Sequence, residues 1–121
     1  LVAAAERRAM AQPLDGLSHC DALKVCANVY ARVAGCRLPF PVYSFNGNNI
    51  ESLSAGTADP LEAFKSLARS PSHATHIFGQ NEFFKAQDKV GIAVVDVPGH
   101  KYRWVWVVLI ANCERGPQSG E

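Results

Sequence analysis

Apolar residues recur along this chain in two rhythms, one of period near 3.6 and one of period 2. Over residues 2–12 (VAAAERRAMAQ) small apolar side chains fall on one helical face, and Pro13 closes the segment, so a helix is expected. A turn with Asp15 and Gly16 follows. Ser18, with Asp21 three residues on, resembles a capping box. It predicts a second helix carrying Leu23, Ala27, Tyr30 and Ala34 at helical spacing, stopped by Gly35. Residues 36–57 lose all periodicity and are punctuated by Pro39, Pro41, Gly47 and Gly56, which reads as a long irregular connection. A third helix starts cleanly. Asp59 can cap it, Pro60 suits its first position, Glu62 can return the capping bond, and Pro71 ends it. Leu61, Phe64 and Leu67 give it one apolar face.

After a mixed stretch over 72–88 the rhythm changes to two. Val90, Ile92 and Val94 alternate with Gly91, Ala93 and Val95, a strand. A turn at 98–101 leads into 102–112, so the pair is a hairpin. The second strand is apolar on both faces, as expected of a central strand with helices against it. Helices first and a sheet last make an α+β layered domain.

The 121 residues fit a single domain over 1–121. Twelve basic and 11 acidic side chains nearly cancel and no like-charged block occurs, which argues against nucleic acid and against docking to an anionic membrane. The longest apolar run, 104–111, is too short to cross a bilayer, so no transmembrane segment is expected. The helical pattern is under way at Leu1, which points to an upstream segment such as a further helix or a signal peptide.

Cysteines stand at 20, 26, 36 and 113. An even count in a small domain favours disulfides and an oxidising, secreted or extracytoplasmic location. Three pairings are open. A bridge between Cys20 and Cys26 is disfavoured if both lie in one helix, where their Cα atoms would stand roughly 9 Å apart. No C-x-x-C pair marks a zinc cluster.

Several stretches, in order, resemble the short bacterial-type domain of the CAP superfamily (cysteine-rich secretory protein, antigen 5 and pathogenesis-related 1). The Ala-rich helix leads into Leu17-Ser18-His19. Gly47-Asn48-Asn49-Ile50 is similar to the family's G-E-N-I. Leu67-Ala68-Arg69-Ser70-Pro71-Ser72-His73, then Ile77-Phe78, resembles W-x-x-S-P-x-H-x-x-x-I-L. Lys89-Val90-Gly91-Ile92 and Tyr102-Arg103-Trp104 resemble the two closing strands. The resemblance covers residues 3–111 and implies an α-β-α sandwich ending in an antiparallel hairpin. It also implies a cleft at His19, Asn48, Ser70 and His73. The two histidines match the family's pair, whereas Asn48 and Ser70 stand where acidic residues are usual, and Leu67 replaces the tryptophan. Nothing in the pattern assigns Glu51 or Glu62 to the cleft.

Two imidazoles can hold a divalent ion such as Zn²⁺, weakly, with His76 as a third candidate ligand one helical turn beyond His73. The alternatives are a cleft without cofactor and His76 bonded to backbone. Asn48 can hydrogen-bond a cleft histidine. Ser70 and Ser72 suit the turn around Pro71, and His100 suits a solvated loop. Phe40, Tyr43 and Phe45 can line a groove for an apolar ligand, as in lipid-binding members of the family, or fold over the core. Trp104 and Trp106 share one strand face beneath a helix. No G-x-S-x-G occurs. The chain therefore reads as a non-catalytic binding module for a small apolar ligand, a weak metal or a protein partner. A hydrolase using His19 and His73, or a part of a larger surface assembly, is the alternative.

Overall fold

A computed structural model describes residues 1–38 and 44–113. The fold is mixed α/β, built around one antiparallel sheet. The elements are α1 (Val2–Met10), α2 (Ala27–Val33), β1 (Cys36–Arg37), β2 (Glu51–Ala55), α3 (Pro60–Arg69), α4 (Pro71–Ile77), α5 (Glu82–Lys85), β3 (Lys89–Asp96) and β4 (Trp104–Cys113).

β4 is the central strand, as its apolar faces predict. It pairs antiparallel with β2 along one side (Leu53 opposite Val107) and with β3 along the other (Ile92 opposite Val108). Its last residues pair with β1, where Cys36 faces Cys113 and the two are disulfide-bonded.

One face of the sheet buries Leu53, Ala93, Val105, Val107, Leu109 and Ala111 against Ala4, Ala5 and Ala9 of α1 and Ala27 and Ala31 of α2. The alanines let α1 lie close. At Gly91 a Cβ would stand 2.5 Å from Leu1, so the helix start rests on bare strand backbone. The opposite face carries Trp106, Val108 and Ile110 toward α3 and α4.

α3 forms as expected. The Asp59 side chain accepts from the Leu61 amide at 2.9 Å, and Pro60 opens the helix. Gly35 takes φ +94° just past α2, the left-handed stop its position predicts.

Four expectations need correction. The Ser18–Asp21 box opens no helix. Instead the Ser18 hydroxyl accepts from Cys20 N, Asp21 Oδ1 accepts from Leu23 N and Val25 N, and Lys24 turns with φ +67°. These local bonds outcompete helix across 18–26, and α2 begins at Ala27. Freed from a helix, Cys20 and Cys26 pair with Cα atoms 3.8 Å apart and form a disulfide.

The connection 36–57 contains two strands. β2 shows no apolar run although it is buried, because Ser52 and Ser54 occupy its face toward α3 and α4. Pro71 ends α3 but also opens α4, which with α5 gives helical structure to much of 72–88.

His100 is buried, not solvated. Its Nε2 lies 2.8 Å from Gly16 O and its Nδ1 accepts from Tyr102 N, which ties the hairpin turn to the turn after α1. The expectations for Phe40 and Tyr43 lie outside the described residues. Phe45 is exposed beneath the Arg32 guanidinium.

Candidate functional site

The site begins with a charge where an Ala-rich helix should be apolar. Arg8 is fully buried in the last turn of α1. Its Nε donates to Glu51 Oε2 at 2.8 Å and its Nη2 to Glu51 Oε1 at 3.0 Å, a two-pronged pair whose side chains are both out of solvent. Such a pair leans on further partners for its remaining polar atoms, although Arg8 Nη1 is buried without one. The Arg8 Nη2 also donates to Ser18 O at 2.6 Å, and Tyr30 of α2 lays its ring over the guanidinium.

Gln12 completes the frame, donating to Arg8 O and Ser18 O and accepting from Ser18 N. These bonds fix the backbone that leads to His19. The Cys20–Cys26 disulfide and the amide of Ala27, donating to His19 O, fix it from the other side.

Glu51 is held equally firmly. Asn48 Oδ1 accepts from the amides of Ile50 and Glu51, and its Nδ2 donates to Glu51 O. The buried Asn28 donates to Asn49 Oδ1 and accepts from Asn49 N. The Asn-rich segment is therefore a scaffold that turns the chain into β2. It delivers Glu51 Oε1 to 2.8 Å from His19 Nδ1, with the His19 side chain still half open to solvent.

Across the cleft α4 supplies His73 and His76. Both hold pKa values below the usual imidazole range. Burial is the main cause for His73, reinforced by the charge of His19. Burial drives His76 to about 4. His76 Nδ1 lies 2.7 Å from the Ser52 hydroxyl on β2, and its Nε2 is buried with no hydrogen-bond partner.

Together His19, Asn48, Glu51, Ser72, His73 and His76 surround a cleft of about 240 Å³. Three of the four residues expected there line it: His19, Asn48 and His73. Ser70 does not. It is the exposed N-cap residue of α4, and Ser72 faces the cleft instead. Asn48 bonds Glu51 and its own turn, not a histidine. The cleft also contains a carboxylate, Glu51, three residues beyond the position where the resemblance looked for one.

The cleft offers a metal two imidazoles from separate elements. Both Glu51 oxygens are engaged by Arg8, and one by His19 as well. His76 is bonded through Nδ1 to Ser52 and is not a ready third ligand. Among the described residues no group of three or more His, Cys, Asp or Glu is arranged to hold a metal ion. A closed structural zinc site is therefore absent from those residues. Two ligands with the remaining positions left to water or to a bound molecule is the arrangement the donors permit.

No family model, curated protein or solved structure matches the chain.

Proposed function

We propose that this chain is a non-catalytic, CAP-like binding module of an oxidising, extracytoplasmic location, and that its histidine cleft binds a divalent ion such as Zn²⁺ weakly. The observation that carries this reading is Glu51 behind His19. A metal-ligating imidazole characteristically gives its other ring N–H to a carboxylate, which fixes the tautomer and strengthens the free nitrogen as a donor. Glu51 Oε1 stands at that distance from Nδ1, leaving Nε2 for the ion. His73, whose lowered pKa keeps it in the deprotonated, ligating form near neutrality, is the second donor. Water or an atom of a second ligand completes the coordination, so the affinity is modest.

The layering supports the CAP-like reading: α1 and α2 lie on one face of the sheet, α3 and α4 on the other, with a closing hairpin. Two disulfides, and no helix among the described residues long and apolar enough to cross a membrane, are compatible with an extracellular protein.

Isothermal titration with zinc chloride tests the site. Heat that disappears in both His19→Ala and His73→Ala is expected. No heat with the wild type, or heat unchanged in His73→Ala, overturns it.

Hydrolysis is the second reading, favoured by the same Glu51–His19 pair, which would orient a general base. Among the described residues no hydroxyl hydrogen-bonds His19, so the attacking group would be water. Turnover of p-nitrophenyl acetate that falls to the solvent rate in His19→Ala would favour it over the binding reading.

A further inference from the structure

The face of the sheet turned away from α1 is stepped. α3 and α4 stand over β2, with α4 reaching β4, and they leave β3 bare. The low half is a floor of directly opposed pairs: Val90 with Ile110, Ile92 with Val108, and Val94 with Trp106. The raised half carries two aromatic rings, Phe64 of α3 and Phe78 at the C-cap of α4, packed edge to face at 5.6 Å. Leu61 precedes Phe64 by one helical turn. Between step and floor lies an open concavity of about 850 Å³.

Both halves are apolar and neither is covered. Leu61, Phe64, Phe78, Val90, Ile92 and Val94 are 41% to 58% exposed. Single exposed apolar residues are ordinary, but a run of them on one face marks a contact surface. These six side chains offer roughly 500 Å² of apolar surface. Two such faces laid together would bury about 1,000 Å², the area at which a specific interface begins. The charged residues that line the concavity, Lys85, Asp88 and Lys89, gather where α5 leads into β3, and Asp88 pairs with Lys89 at 3.1 Å. The floor between Val90 and Val94 holds no charge, so charge stays at the rim, as in a stable interface.

The step also complements itself. A two-fold axis along the strands lays the Phe64–Phe78 ridge of one copy on the bare β3 of the other, and symmetry supplies the reverse contact. Aromatic rings then seat on alternating aliphatic side chains in both directions. Pairing two copies through their β3 edges would leave the floor open, so the contact is face to face. We propose that this stepped face is the interface of a homodimer, with a second copy of this chain as its occupant. The contact is closed by its two-fold, so assembly stops at two. It uses neither His19 nor His73 and stands whether or not the cleft binds metal.

Sedimentation velocity over a micromolar to millimolar range of protein tests it. The wild type is expected to pass from monomer to dimer with a dissociation constant on the order of 10 μM, as suits a contact of this modest area. Ile92→Glu and Phe64→Glu each place a charge in the contact at a half-exposed position. Both are expected to keep the wild-type circular dichroism and to weaken the dimer about tenfold or more. Leu23→Glu, at an 85% exposed position in the turn before α2, is expected to dimerise like the wild type. A wild type that stays monomeric overturns the proposal, and if that monomer binds 1-aminoanthracene the face belongs to a small apolar ligand instead. A dimer that persists in whichever of Ile92→Glu and Phe64→Glu folds also overturns it, as does assembly that runs on past two copies.

Discussion

Glu51 Oε1 lies 2.8 Å from His19 Nδ1 and 3.0 Å from Arg8 Nη2, so one buried carboxylate oxygen joins the core of the protein to its histidine cleft. A stability lesion at this residue is therefore also a lesion of the site.

Glu51→Ala leaves the buried Arg8 guanidinium without its counter-charge, holding only Ser18 O and the Tyr30 ring. The expected loss is about 3–5 kcal/mol, read as a shift in the urea midpoint. Replacing the pair together, Arg8→Met with Glu51→Leu, is expected to recover much of that loss while still weakening zinc binding. A double variant as unstable as Glu51→Ala would contradict the argument.

Acid is expected to destabilise the fold before its carboxylates titrate. His76 falls from 6.5 unfolded to about 4 folded, and His73 is also lowered. Between those values the unfolded chain binds more protons than the native one, so stability drops as pH falls from about 6.5 toward 4. His76 contributes on the order of 3 kcal/mol at the acid end. A backbone hydrogen bond with Ile50 and, less, the charge of Glu51 oppose the shift, whereas His73 and His19 add to it. Asp21, lowered chiefly by its bond from Tyr30, and Asp88, lowered chiefly by Lys89, act in the same direction only at still lower pH. Urea unfolding at pH 7 and pH 4.5 checks this, and His76→Gln should flatten the decline.

The two disulfides should differ in weight. Cys36–Cys113 closes a loop with a sequence separation of 77, Cys20–Cys26 one of 6. Loop-closure entropy assigns about 4 kcal/mol to the first and about 2 to the second. Thermal melts of the paired Cys→Ser variants rank them. The Cys20→Ser/Cys26→Ser variant is expected to lose zinc affinity out of proportion to its stability, because that bridge holds the backbone after His19.

Asp59→Ala removes the cap of α3 and should cost about 1 kcal/mol, with zinc binding unchanged, since α3 does not touch the cleft.

Local signals in the sequence proved readable where the chemistry that makes an element lies within that element. Asp59 and Pro60 mark the start of α3, and the doubly apolar run of β4 marks a central strand. The meeting of His19 and His73 followed from resemblance, not from any local pattern. What stayed hidden depends on partners distant in the chain. Glu51 looks like any surface glutamate until Arg8, 43 residues earlier, is brought beside it. Ser52 and Ser54 hide β2 because their outer face meets His76 and α3 instead of a plain apolar layer. The Cys20–Cys26 bridge required a reverse turn where Ala27, Tyr30 and Ala34 extend a helical rhythm backward. His100 becomes a buried tether only once Gly16 arrives 84 residues from it.

The central position of β4 also sets an order of events during synthesis. β1, β2 and β3 each pair with β4 and, among the described residues, not with one another. Until residues 104–113 have been made, the earlier strands have no template, and Cys36 has no partner to oxidise with. Cys20 and Cys26 are complete as a pair some 80 residues sooner. A nascent chain can thus close its small loop early, but it assembles its sheet all at once and late, with its apolar strands exposed in the interval.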